Sequence, residues 1–234
     1  ASLVSITRKE KHNVKVVIIS EKNEYNHLLD EVKSFKPLVI GFSSVSSQFN
    51  YVKEMAALIK KLFPSITIIC GGVHPTINTD ALLETEMING FFVGESEFSI
   101  VEFLNKIEKG ESFKEIDNFA YVQNGVVVRN KLKSLIENLD LLPHPDKEIY
   151  PYKKTIMDLG YAPFFFARGC PYMCTYCSNH ALAGLYGRKR NYPRFRSPEM
   201  CIREIEEVMG KYGKLIEFVW IMDDIFGLNN KWRE

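Results

Sequence analysis

The sequence carries almost no excess charge: 30 Lys and Arg stand against 29 Asp and Glu, a formal net charge of +1. That balance argues against the basic surface that nonspecific binding to nucleic acid or to an anionic membrane requires, so neither partner is expected. Long hydrophobic runs are missing too, and no apolar stretch approaches the roughly 20 residues of a membrane span. Cysteine is scarce and odd in number: of five in 234 residues, three crowd together, unlike the paired framework of a secreted disulfide scaffold. A reducing, cytoplasmic setting is the expectation. No internal repeat is evident. The remaining composition, 46% hydrophobic and 25% charged, is that of ordinary globular protein, and the length suits about one or two domains.

Apolar runs alternate with helical periodicity through the first half. Val14–Ser20, Leu38–Ser43, Ile66–Cys70 and Ile88–Val93 read as strands covered on both faces. Between them, Tyr25, Leu28, Leu29, Val32 and Phe35 recur at helical spacing, as do Val52, Met55, Ala56, Ile59 and Leu62. A shorter helix is expected over Asn78–Glu86, and another through Phe98, Val101, Leu104 and Ile107. This is the pattern of a doubly wound, flavodoxin-like α/β sheet. Asn124-Gly125 between two β-rich runs signals a hairpin. Leu139–Pro151 contains three prolines and reads as an extended linker. The expected organisation is an α/β domain over residues 1–112, a hairpin and proline-rich linker over 113–151, and a second domain over 152–234. Both ends look cut. A first strand is expected to be missing between Val14–Ser20 and Leu38–Ser43, leaving a gap there or direct pairing of those two strands.

The densest chemistry is Arg168-Gly169-Cys170-Pro171-Tyr172-Met173-Cys174-Thr175-Tyr176-Cys177. Its C-x3-C-x2-C spacing follows Ala162–Ala167, an apolar run that reads as a buried strand. Three thiolates on one loop can grip one metal centre and leave a coordination position open. His180, three residues past Cys177, could close a structural zinc site of three cysteines and one histidine. The other reading is an iron–sulfur cluster with one open iron.

With Tyr176 just before the last cysteine, Cys170, Cys174 and Cys177 resemble the loop of the radical S-adenosylmethionine superfamily. Gly71-Gly72-Val73-His74-Pro75-Thr76, Val93-Gly94-Glu95-Ser96-Glu97, Leu139-Asp140 through Pro145, Arg196-Ser197-Pro198-Glu199 and Asp223-Asp224 follow in the order found in one subgroup, the radical enzymes with an N-terminal cobalamin (B12)-binding domain. The resemblance implies that the three cysteines ligate three irons of a 4Fe-4S cluster, whose fourth iron binds S-adenosyl-L-methionine. Reductive cleavage then releases a 5′-deoxyadenosyl radical. It further implies a cobalamin cofactor, an electron donor such as flavodoxin or ferredoxin, a small-molecule substrate, and C-methylation or related radical chemistry. The second domain is then the start of a partial β/α barrel. The backbone at Tyr176 is placed against the adenine of S-adenosylmethionine, with ordinary packing the alternative for its ring. Asp223 and Asp224 are placed at its methionyl ammonium, with a solvated loop the alternative.

Ligands of doubly wound sheets bind at the carboxyl ends of strands. Ser43, Ser44, Ser46 and Ser47 sit at one such end, and Gly71 and Gly72 at another. Hydroxyls can bond the polar edge of a corrin, and glycines admit its close approach; turn residues alone, or a flavin or other nucleotide, are the competing readings. His74 is assigned to the cofactor periphery or to a helix cap rather than to cobalt, because the D-x-H-x-x-G motif that supplies a cobalt ligand in such domains is not readable here. Glu95 and Glu97 are expected to favour a helix N-terminus. Arg188, Lys189, Arg190, Arg194 and Arg196 read as a solvated basic loop, or as a contact to an anionic ligand. No catalytic residue is assigned, and a module that binds cobalamin or a nucleotide without radical activity remains an alternative.

Overall fold

Strand Thr67–Gly71 shows why the apolar runs of the first half lack polar alternation. Ile68 and Cys70 enter one buried cluster with Leu28, Val52, Ala56 and Ile59, whereas Ile69 enters a second with Phe92, Phe103 and Phe119. Successive side chains point to opposite faces, and both faces are covered. The structure, a computed structural model, describes residues 1–187 and 193–234. They form two units: Glu10–Ser134, and Ala1–Lys9 together with Leu135–Glu234. Helix α1 (Ser2–Lys9) belongs to the latter.

In the unit 10–134 the elements run α2 (Tyr25–Phe35), β1 (Val39–Ser43), α3 (Phe49–Leu62), β2 (Thr67–Gly71), α4 (Val73–Ile77), β3 (Gly90–Phe92), α5 (Glu97–Glu108), β4 (Phe119–Gln123) and β5 (Val126–Arg129). One sheet has the order β1-β2-β3-β4-β5. β1, β2 and β3 pair in parallel, and the hairpin β4–β5 adds two antiparallel strands beside β3. Helices α2 and α3 pack on one face through Leu28, Val32, Val52, Ala56 and Ile59, and α5 on the other through Phe103. The α/β reading of this half therefore holds.

Several expectations are corrected. Val14–Ser20 forms no strand; Val17 and Ile19 pack against the first cluster, but the run does not pair with β1. Apolarity places it against the core, and a strand needs in addition a neighbour's N–H and C=O groups in register. β1 is an edge strand of the five-stranded sheet, so a gap separates it from 14–20, one of the two outcomes expected for that pair. The hairpin, expected within a linker, completes the first sheet. The expected helix over Asn78–Glu86 is instead the short α4 followed by a 3-10 turn, Thr79–Glu84.

In the other unit, Leu139–Leu141 and Lys147–Ile149 form 3-10 turns, and Leu139 and Leu142 are buried, so the proline-rich segment is packed rather than extended linker. α6 (Tyr152–Leu159) ends at Gly160 in the left-handed conformation, leading into β6 (Tyr161–Phe164) and β7 (Ala167–Arg168). Then follow α7 (Ser178–Leu185), β8 (Arg194–Phe195), α8 (Pro198–Tyr212), β9 (Phe218–Ile221) and α9 (Asn230–Arg233). β6 and β9 pair in parallel, with Phe164 opposite Ile221. β7 and β8 pair antiparallel. Ser197 caps α8 as expected, its hydroxyl accepting the Met200 N–H at 3.3 Å with Pro198 at the first helical position. Cys201, Val208 and Tyr212 on α8 meet Tyr152, Ile156, Phe164 and Phe166 in one core. Among the described residues no helix is long and apolar enough to cross a membrane.

Candidate functional site

The cysteine loop leaves β7 through Gly169, whose φ of 92° is a conformation that side chains with a Cβ resist. Pro171–Tyr176 is exposed, and Cys177 is the N-cap residue of α7. The Cys177 N–H donates to the Cys174 carbonyl at 3.1 Å, and the His180 N–H to the Cys177 carbonyl at 3.2 Å. The partially positive end of α7 thus lies at the last thiol, where negative charge is favoured.

The five cysteines separate into two kinds, none in a disulfide. Cys70 and Cys201 are buried, and desolvation pushes both thiols up to about 12. They are core side chains held neutral. Cys170 and Cys177 are half-buried and Cys174 is exposed. Three accessible soft donors on one loop fit an iron–sulfur cluster by the chemistry of the donor set. Among the described residues, no group of three or more His, Cys, Asp or Glu side chains is gathered closely enough to hold a single metal ion.

Asp223, just past β9, points back at the strand that feeds this loop. Its Oδ1 accepts the backbone N–H groups of Phe166 at 2.7 Å and Ala167 at 2.9 Å. Its Oδ2 is buried with no hydrogen-bond partner. Desolvation raises its pKa, opposed by the two amide bonds and reinforced by neighbouring Asp224. Asp224 is exposed and accepts from Asn179 Nδ2 at 2.8 Å, on the first turn of α7. The two acids therefore engage the segments before and after the cysteine loop. Tyr176 is 92% exposed.

The basic run divides. Arg188, Lys189 and Arg190 lie outside the described residues. Arg194 and Arg196 are buried, contrary to the reading of a solvated loop. Arg194 donates to the Ile136 carbonyl at 2.6 Å, and Arg196 to those of Leu142 and Pro143, both at 2.9 Å. Asp140 accepts the Ser197 N–H at 3.0 Å. The Leu139-Asp140 and Arg196-Ser197 motifs are thus two sides of one contact.

At the carboxyl ends of β1 and β2 the structure brings Ser43, Ser44, Ser46, Gly71, Gly72 and His74 together. Ser43, Ser46 and Gly72 are exposed. Gly72 has φ 98°, and a Cβ there would lie 2.8 Å from the Ser44 carbonyl oxygen and 3.2 Å from Ser43 Oγ. Gly71 has ordinary room, its nearest such contact being 3.7 Å. Ser44 is buried; its N–H donates to the Gly71 carbonyl at 2.9 Å and its hydroxyl to the Val45 carbonyl at 2.9 Å, so its side chain serves the loop. His74 is buried, its ring 4.4 Å from that of Phe49. Its Nδ1 bonds Ser46 Oγ at 3.0 Å, while Nε2 is buried without a partner. An exposed rim with serine hydroxyls, a glycine backbone and an orphaned imidazole nitrogen beneath suits a polar-edged cofactor. Glu97 stands in the first turn of α5, as expected of a residue that favours a helix N-terminus, whereas Glu95 lies before the N-cap residue Ser96.

Two contributors escaped the sequence reading. Thr76 joins the loops after β2 and β3. Asn118, at φ 64°, donates to the Val93 carbonyl at 2.8 Å and accepts the Lys133 N–H at 3.0 Å, fixing the end of β3. The tolerance of asparagine for left-handed backbone was the one available signal.

Residues 1–104 match the family model of the B12 binding domain. The chain is 29% identical to an uncharacterized methyltransferase, PH0819, of Pyrococcus horikoshii, covering 99% of this chain and 49% of that protein. It is 26% identical to the anaerobic magnesium-protoporphyrin IX monomethyl ester cyclase of Rubrivivax gelatinosus, over 78% of this chain and 33% of the cyclase. The chain thus spans half or less of the length of these relatives. The solved structure of the cobalamin-dependent S-adenosylmethionine radical enzyme OxsB, with aqua-cobalamin and S-adenosylmethionine bound, superposes with a TM-score of 0.76 at 22% identity, covering 96% of this chain and 31% of OxsB. At that identity the likeness speaks to the fold alone. A B12 binding domain over the first part of the chain and likeness to the methyltransferase running on through the cysteine loop agree with the resemblance to the radical S-adenosylmethionine enzymes that carry a B12-binding domain.

Proposed function

We propose that this chain forms the cobalamin-binding and cluster-binding portion of a radical S-adenosylmethionine enzyme, with C-methylation as its reaction class. The observation that carries the proposal is the segregation of the cysteines: Cys70 and Cys201 are buried thiols, while Cys170, Cys174 and Cys177 stand accessible within eight residues. When bound, a 4Fe-4S cluster supplies one electron to S-adenosylmethionine and cobalamin carries the methyl group. The residues of this chain hold and shield. Cys170, Cys174 and Cys177 ligate the cluster. The backbone at Tyr176 and the carboxylate of Asp224 would hold S-adenosylmethionine, and Asp223 fixes the entry strand. Ser43, Ser46 and Gly72 line the cobalamin rim, with His74 and Ser44 beneath. A small-molecule substrate, a one-electron donor such as flavodoxin or ferredoxin, and a reducing cytoplasmic setting complete the proposal.

The test is an anaerobic assay of the full-length protein with S-adenosylmethionine, a reductant and methylcobalamin. Formation of 5′-deoxyadenosine that disappears in Cys170→Ala, Cys174→Ala and Cys177→Ala supports the reading. A cluster-loaded protein that forms none contradicts it.

A further inference from the structure

The short helix α4 follows the two glycines at the end of β2, and its buried polar side chains reach all three parallel strand ends. Toward β1, the His74 N–H donates to the Ser44 carbonyl at 3.0 Å and His74 Nδ1 bonds Ser46 Oγ at 3.0 Å. Toward β2, the Thr76 hydroxyl donates to the Gly72 carbonyl at 2.7 Å. Toward β3, the same oxygen accepts the Gly94 N–H at 3.0 Å. Thr76 is 4% exposed and His74 8%, so neither presents a surface that a ligand could cover. The groups they hold are at the rim: Ser46 and Gly72 are exposed and Gly94 is half-buried.

We infer that His74 and Thr76 are positioning residues that fix the β1, β2 and β3 loops, through Ser46, Gly72 and Gly94, in the arrangement that receives a cobalamin. The inference rests on the proposed cobalamin reading of this crevice. Physically, a hydroxyl that donates to one loop and accepts from the next couples the two: losing it takes the acceptor from the half-buried Gly94 N–H and leaves the Gly72 carbonyl only the Thr76 N–H at 3.3 Å. Binding energy then need not be spent on ordering the loops. The imidazole does the same for the serine loop, and its tilted contact with the Phe49 ring, centroids 4.4 Å apart, helps hold it in place.

The experiment compares Thr76→Val, which keeps the shape and removes the hydroxyl, with Thr76→Ser, which keeps the hydroxyl and removes the methyl. Hydroxocobalamin binding is measured by titration and by the absorption spectrum of the bound cofactor, with circular dichroism confirming the fold of each variant. The expectation is about tenfold weaker binding for Thr76→Val, the scale of one lost hydrogen bond, with Thr76→Ser within about twofold of wild type and showing its spectrum. His74→Gln, which keeps a polar group near Ser46, is expected to fall between them, and it takes the place of Thr76→Val if that variant does not fold.

Hydrogen exchange of the ligand-free protein supplies a readout that needs no cofactor: the Gly94 amide should be protected in wild type and Thr76→Ser and exchange faster in Thr76→Val. Folded Thr76→Val binding as wild type, or Thr76→Ser weakened as much as Thr76→Val, overturns the inference. If wild type binds no cobalamin while the exchange pattern holds, the cofactor reading is what failed, and the positioning role toward cobalamin falls with it.

Discussion

The backbone N–H of Phe166 donates to Asp223 Oδ1 at 2.7 Å, tying the end of β9 to the strand that enters the cysteine loop. The Ala167 N–H shares that oxygen at 2.9 Å. Asp223→Ala leaves both amides without their acceptor and is expected to cost about 1–3 kcal/mol by urea unfolding. Asp223→Asn keeps an acceptor oxygen and should retain most of that stability.

The pH dependence of the same residue has a definite sign. Burial raises the folded-state pKa of Asp223 above its unfolded value. The native state then holds the proton more tightly than the unfolded chain, so the contribution of this group to stability is full below the unfolded value and is lost as pH rises through the raised one. Unfolding free energy measured across that acidic window should fall with pH in the cofactor-free wild type and fall less steeply in Asp223→Asn. Identical slopes would refute the assignment.

Thiol reactivity should divide the cysteines three to two. Under native, metal-free, reducing conditions, iodoacetamide followed by peptide mapping should modify Cys170, Cys174 and Cys177. Cys70 and Cys201, with thiols pushed up to about 12, should react only after unfolding. Rapid native labelling of Cys70 would contradict the packing of β2.

The two glycines after β2 should differ sharply. Gly72→Ala places a Cβ 2.8 Å from a backbone oxygen at φ 98° and is expected to destabilise by about 1–3 kcal/mol and to weaken cobalamin binding. Gly71→Ala, with 3.7 Å of room, should be tolerated. Denaturant midpoints and cobalamin titrations of the pair check both expectations.

Arg196 is buried between α8 and the proline-rich segment, with two guanidinium nitrogens on two carbonyls. Lysine has a single nitrogen and cannot reproduce the fork. Arg196→Lys should therefore lower stability by about 1–3 kcal/mol, whereas a solvated loop residue would show little change. Thermal or denaturant unfolding separates the two.

Periodicity made the helices and most strands legible in the sequence because burial is a one-dimensional pattern. Ile59 and Val52 recur as a covered helix face must, and Ile68, Ile69 and Cys70 as a strand covered twice. Val14–Ser20 misled because strand pairing depends on a neighbour that the pattern does not contain. The cysteine loop was legible because its ligands are contiguous. Thr76, Asn118 and the clasp of Asp223 on Phe166 were not, since each depends on a backbone group brought close only by folding. Arg194 and Arg196 were misread for a related reason: charge alone reads as solvated, and their carbonyl partners lie more than fifty residues upstream.

The most direct test of the central claim is iron and acid-labile sulfide per chain after anaerobic reconstitution, measured on the full-length protein with each cysteine replaced in turn. Wild type, Cys70→Ala and Cys201→Ala are expected to hold about four irons and four sulfides, with marked loss in Cys170→Ala, Cys174→Ala and Cys177→Ala. Equal iron and sulfide in all five variants, or one zinc without sulfide in wild type, would contradict it.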